Sequence, residues 1–248
     1  ICDYNYVFDP DVRLKRYFAE GNQGEYLFLV DEAHNLAARA REMYSAVLKK
    51  EEVLEMRRLF QGRAPALARR LDRVNRILLE MKRECERFQV LADVHLLGEA
   101  LSHLYAALEN WLEDGPEGEL REKALEFYFQ VRAFLNIRER IDEHYRIYSE
   151  LLEDGSFQVR LFCVNPIRNL GECLEQARST VFFSATLLPL RYYRLLLSDA
   201  PEDYTVYVNS PFSQENRLIL AAGDVTSRYA RRNEQEYRKV LSYIRAAA

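Results

Sequence analysis

Glycine is scarce in this chain: there are 9 in 248 residues, scattered, and none falls in a G-x-x-x-x-G-K-[ST] string. That string cradles nucleotide phosphates on its backbone N–H groups, so a phosphate loop of this type is excluded. The 4 cysteines, Cys2, Cys85, Cys163 and Cys173, have no C-x-x-C spacing and no neighbouring histidine, which speaks against a zinc site or a disulfide framework and for a reducing compartment. Long apolar runs are missing as well. Val181-Phe182-Phe183 and Leu195-Leu196-Leu197 fall far short of the roughly 20 residues that cross a bilayer, so no membrane span is expected. The opening residues, Ile1-Cys2-Asp3-Tyr4, do not read as a signal peptide, and the lack of an initial Met suits an internal fragment. A net charge of −4 argues against nucleic-acid binding through bulk charge but permits a local basic surface. With 48% apolar residues the chain can bury one large core or two modest ones.

What the chain does have is Asp31-Glu32-Ala33-His34, directly after the apolar run Tyr26-Leu27-Phe28-Leu29-Val30. The run reads as a buried strand, and the carboxyl end of such a strand is where the crevice of an open α/β sheet holds its ligands. Two carboxylates there suit magnesium–phosphate chemistry, one holding Mg²⁺ mostly through water, the other positioning or deprotonating the attacking water. The same string also reads as a strand-to-helix junction with an acidic helix cap. A second polar string, Ser184-Ala185-Thr186, ends the run Val181-Phe182-Phe183 in the same way. Its plain reading is helix capping by Thr186, with Pro189 in the first turn.

Three sections follow one another. Residues 1 to about 35 read as strand, loop and strand. From Leu36 to about Leu152 the pattern is helical: Leu67, Leu71, Val74, Leu78, Met81, Cys85 and Phe88 recur at spacings of four and three, as do Leu97, Leu101, Leu104, Leu108 and Trp111. A third run, Leu120, Ala124, Phe127, Val131 and Phe134, continues through Arg138 to Ile141, Tyr145, Tyr148 and Leu152. Asp114-Gly115-Pro116-Glu117-Gly118 marks a turn between helices, and Glu153-Asp154-Gly155 a helix stop. From Phe157 onward strand-like and helical runs alternate: Phe157 to Cys163, a helix near Ile167 to Ala177, Thr180 to Phe183, a helix after Thr186, then a strand from Tyr204 to Val208. The expected fold is therefore α/β, interrupted by an all-helical insertion.

The strings Tyr4-Asn5-Tyr6-Val7-Phe8-Asp9-Pro10, Asp31-Glu32-Ala33-His34-Asn35, Phe183-Ser184-Ala185-Thr186-Leu187 and Ser210-Pro211-Phe212-Ser213-Gln214-Glu215-Asn216, in this order and spacing, resemble those of the XPD/DinG-like ATP-dependent DNA helicases. In that family a helical arch domain separates the DEAH and S-A-T motifs. The resemblance implies a partial RecA-like, P-loop-type motor domain with parallel strands. Its boundaries would be residues 1–40 and 156–212 for motor domain 1, 41–155 for the arch, and 213–248 for the beginning of motor domain 2. Asp31 would bind Mg²⁺ and Glu32 would activate water against the γ-phosphate of ATP. His34, Ser184 and Thr186 would couple nucleotide state to single-stranded DNA. Tyr4 and Tyr6 would lie near the DNA path, stacking on it or packing into the core.

The implied activity is movement 5′ to 3′ along DNA, in a DNA-repair setting and, in a bacterium, in the nucleoid-associated cytoplasm. The phosphate loop, and the iron–sulfur ligands that many members carry, would lie outside these residues, so the chain alone is expected to be inactive on ATP. On the arch, Arg69, Arg73, Arg76, Arg83 and Arg87 fall opposite the apolar seam, as a ridge that could track phosphates or as a solvated face relieved by Asp72, Glu80 and Glu84. The rival reading is a non-catalytic module whose arch helices bind nucleic acid or a protein partner. A metal-dependent phosphohydrolase using Asp31 and Glu32 is a distant third.

Overall fold

The computed structural model describes residues 1–18, 25–198, 200–216 and 219–247, apart from the side chain of Gln214. The chain divides into two compact units, Ile1–Thr205 and Val206–Ala248. The first opens with two short helices, α1 (Asn5–Phe8) and α2 (Lys15–Phe18), where the sequence suggested a strand. The Asp3 carboxylate accepts the Asn5 N–H at 2.9 Å, and the Tyr44 hydroxyl donates to the Phe8 carbonyl at 2.6 Å. The local turn bond at Asp3 and that buried bond override the β preference of Tyr and Val.

The described residues of this unit form two sheets. Strands β1 (Leu27–Val30) and β6 (Ser179–Phe182) pair in parallel, Leu27 opposite Ser179 and Val30 opposite Phe182. The second sheet is antiparallel, in the order β2 (Ala46–Lys49), β5 (Phe157–Cys163), β4 (Tyr145–Leu151), β3 (Phe88–Leu91). Between and around them lie α3 (Leu36–Met43), α4 (Lys50–Phe60), α5 (Pro65–Glu84), α6 (His95–Asp114), α7 (Glu119–Glu139), α8 (Ile167–Leu174) and α9 (Leu190–Leu197).

The mixed α/β class is as expected, but the stretch 41–155 is not all helical, since it contains β2, β3 and β4. Tyr145, Tyr148 and Leu152 fit a helical spacing, yet Tyr145–Leu151 is a strand whose residues alternate between buried and more exposed. Glu153-Asp154-Gly155 closes a hairpin rather than ending a helix: Gly155 takes φ 78°, and the Asp154 carboxylate accepts the Ser156 N–H at 2.9 Å. Glycine at a left-handed position after aspartate is a hairpin signal. Phe88 likewise leaves the seam of α5, is 56% exposed on β3, and packs on the Tyr148 ring at 4.9 Å.

The three long helices follow the sequence closely. On α5, Pro65 occupies the first turn, where its missing N–H costs nothing, and Leu67, Leu71, Val74 and Leu78 are buried. On α6, Leu97, Leu101, Leu104 and Leu108 are buried, and Trp111 meets the Phe60 ring edge-on at 4.8 Å. Ala124, Phe127, Val131 and Phe134 complete the packing from α7. Arg138, the polar member of that run, crosses over Gly98, where a Cβ would stand 2.3 Å from its Nε. Each buried leucine in this seam contributes about 2–5 kcal/mol, the usual cost of truncating one to alanine.

In the second unit, α10 (Glu234–Ala247) starts at Asn233, whose side chain accepts the Glu236 N–H at 2.9 Å. The Glu236 carboxylate accepts the Thr226 N–H at 2.6 Å, and the Tyr243 hydroxyl donates to Asp224 at 2.5 Å. The expected strand from Tyr204 to Val208 does not form: those residues are exposed and without regular structure, as lone β-formers with no partner strand are.

Candidate functional site

The parallel pairing of β1 and β6 carries past both strands: the Phe183 N–H donates to the Val30 carbonyl at 3.0 Å, and the Ala33 N–H to the Phe183 carbonyl at 3.2 Å. These bonds bring Asp31-Glu32-Ala33-His34 beside Ser184-Ala185-Thr186. His34 Nδ1 lies 2.8 Å from Ser184 Oγ and 3.0 Å from Glu32 Oε2. The Ser184 hydroxyl is within 3.3 Å of both Glu32 Oε2 and Thr186 Oγ1, and its oxygen accepts the Thr186 N–H at 3.2 Å. The two polar strings thus form one hydrogen-bonded cluster at the carboxyl ends of neighbouring parallel strands.

The capping readings are not realised. Glu32 stands at the cap position of a short 3-10 turn, Ala33–Asn35, but makes no side-chain cap bond. Asn35 at the head of α3 makes none either, and α9 begins after Pro189, not at Thr186. Asp31 Oδ1 accepts the N–H of Glu32 at 2.7 Å. Among the described residues Glu32 is the one non-glycine residue with positive φ, 50°. That left-handed conformation costs an L-residue roughly 1–2 kcal/mol. It holds the carboxylate, 60% exposed, against His34 and Ser184. Sequence reading missed both this backbone feature and the part played by the Phe183 carbonyl, since neither leaves a mark on residue type.

Asp31 is the candidate Mg²⁺ ligand. No group of three or more His, Cys, Asp or Glu side chains able to hold a metal occurs among the described residues. One exposed carboxylate nevertheless suits Mg²⁺, which keeps most of its water and is commonly held by one or two carboxylates together with substrate phosphates. The remaining expected residues are apart from this cluster. Tyr4 packs partly buried against the core, and Tyr6 is 42% exposed. Arg69, Arg73, Arg76 and Arg83 lie on the solvent face of α5, whereas Arg87 lies beyond the helix, just before β3. Asp72 pairs with Arg57 at 2.6 Å, and none of the five arginines makes an ion pair among the described residues.

Neither a family model nor a curated protein matches this sequence.

Proposed function

We propose that this chain is part of an ATP-dependent DNA helicase of the XPD/DinG-like type, a partial RecA-like motor domain interrupted by an arch, whose phosphate-binding loop is supplied by another segment. The observation that carries the reading is the His34, Ser184 and Glu32 cluster, in which two motifs 150 residues apart meet at adjacent strand ends. Asp31 would hold Mg²⁺, which neutralises charge on the phosphates of ATP. Glu32, exposed and backed by His34, would orient a water and accept its proton. Ser184 shares its hydrogen bonds between Glu32, His34 and Thr186, so a movement of β6 would be felt at the Glu32 carboxylate. By the family resemblance the motor would run 5′ to 3′ on single-stranded DNA.

In the complete protein Glu32→Gln is expected to abolish hydrolysis and retain ATP binding, since the amide keeps the shape but cannot take a proton. Asp31→Ala is expected to weaken Mg²⁺–nucleotide binding itself. Parental hydrolysis rates in both variants would sink the proposal. The 248-residue chain alone is expected to show no DNA-stimulated turnover above its Glu32→Gln control.

A further inference from the structure

Residues directly opposite in antiparallel strands share a face, so the registers sort the four-stranded sheet into two surfaces. One carries Leu48, Tyr145, Ile147, Val159, Leu161 and Cys163, all buried. The other carries Phe88 and Val90 from β3, Arg146 and Tyr148 from β4, and Arg160 and Phe162 from β5. Phe88 and Val90 are 56% and 63% exposed. Three rings make a diagonal across this face, with centroids 4.9 Å apart from Phe88 to Tyr148 and 6.5 Å from Tyr148 to Phe162.

Arg160 stands opposite Tyr148, and its guanidinium lies 5.1 Å from the centroid of the Phe162 ring. Among the described residues its buried Nε has no hydrogen-bond partner and the guanidinium makes no ion pair. Among the described residues Arg146 donates to the carbonyls of Glu143 and Tyr145 alone, at 3.0 and 2.6 Å. The carboxylate on the face, Glu150, is engaged by the Gln158 amide at 2.6 Å instead of by an arginine. Lys49 sits at the margin, opposite Gln158.

Aromatic faces beside unneutralised guanidinium groups offer stacking surfaces for flat rings and positive charge for a chain of phosphates. Single-stranded nucleic acid presents both at once, whereas a duplex keeps its bases stacked inside. Four-stranded sheets that recognise single strands stack two or three bases on aromatics in this manner. We propose that this face binds single-stranded nucleic acid, with bases on Phe88, Tyr148 and Phe162 and phosphates on Arg146 and Arg160. The proposal rests on the sheet alone and holds whether or not the DEAH cluster turns over ATP.

The test is fluorescence anisotropy of a labelled oligothymidylate titrated with the 248-residue chain at low salt, without nucleotide. Saturable binding is expected, weakened about tenfold or more by Phe88→Ala and by Tyr148→Leu, with far-ultraviolet circular dichroism unchanged. Arg160→Gln is expected to weaken binding and to flatten the plot of log affinity against log salt by about 0.7. Phe88→Trp, at an exposed position that tolerates change, should lose emission on adding the oligonucleotide, while the emission of Trp111 in the parent chain stays constant. An oligouridylate arm shows whether the sugar matters; binding of either single strand supports the proposal. No binding of either single strand would overturn it. So would equal affinity for a duplex, or an affinity untouched by Phe88→Ala and by Tyr148→Leu in folded protein. None of these outcomes bears on hydrolysis by the complete protein, which Glu32→Gln reads separately.

Discussion

The imidazole of His34 and the hydroxyl of Ser184 are 2.8 Å apart, although 150 residues separate them in the chain. A contact spanning such a distance forms only when β1 and β6 are already paired, so it reports on the closure of the parallel sheet. In a double-mutant cycle on the 248-residue chain, His34→Ala and Ser184→Ala should be non-additive by about 0.5–1.5 kcal/mol in denaturant unfolding. Strict additivity would mean that the bond contributes nothing to folding.

The left-handed backbone of Glu32 makes a second expectation. Replacing it with glycine relieves a conformational cost of roughly 1–2 kcal/mol and adds the larger unfolded-state entropy of glycine, about 0.5–1 kcal/mol. Glu32→Gly should therefore leave the thermal midpoint unchanged or raise it slightly, while removing the carboxylate proposed for catalysis. A clear drop in the midpoint would show that the hydrogen bonds of Glu32, not function, hold this conformation in place.

Much of this was readable in advance, for identifiable reasons. Leu67, Leu71, Val74 and Leu78 bury one stripe of an amphipathic helix, and that periodicity survives in any context. The two motif-bearing strands were legible in position, because an apolar run followed by a polar string has few other uses, but the expected burial of the first is not met: Leu27 and Leu29 are exposed and only Val30 is buried. The antiparallel sheet was hidden because Tyr145, Tyr148 and Leu152 satisfy both a helical and an extended pattern, and only pairing with Phe157–Cys163 decides between them. At the site, residue types gave the acids and the hydroxyls. The backbone twist at Glu32 and the Ala33 to Phe183 bond are tertiary facts.

Burial pushes the Cys163 thiol up to about 11. Cys85 and Cys173 are also buried, while Cys2 is exposed. At pH 8 iodoacetamide should modify Cys2 in the native chain and reach the other three after denaturation, as read by intact mass. The folded state keeps the Cys163 proton where an unfolded thiol, ordinarily near 8.5, has lost it. Its stabilising contribution is thus full below that value and is lost as pH rises from there through about 11. Cys163→Ala should lose less stability than the parent chain across that window, and an identical fall in both would refute the assignment.

The arginine ridge of α5 gives a further expectation. Because Arg69, Arg76 and Arg83 are exposed and unpaired among the described residues, changing all three to Glu should weaken single-strand binding by the complete protein, with unchanged helical content. The loss should be similar for all base sequences and shrink at high salt, since phosphate contacts carry charge and no base information. Unchanged affinity at low salt would leave the ridge a solvated face.

Strand β2, which leaves α3, is hydrogen-bonded to β5, which leads back to α8: Ala46 lies opposite Leu161, the Ser45 hydroxyl accepts the Cys163 N–H at 2.9 Å, and Arg41 Nε donates to the Val164 carbonyl at 2.8 Å. The segment between them, residues 50–156, is therefore held at its base by two stitched strands, as a drawer handle is held by both posts. Both ends of that segment thus meet the rest of the unit at one place, through α3, just after His34, and through α8, just before β6. Severing either post, for example by Ser45→Pro, would leave the segment on a single tether.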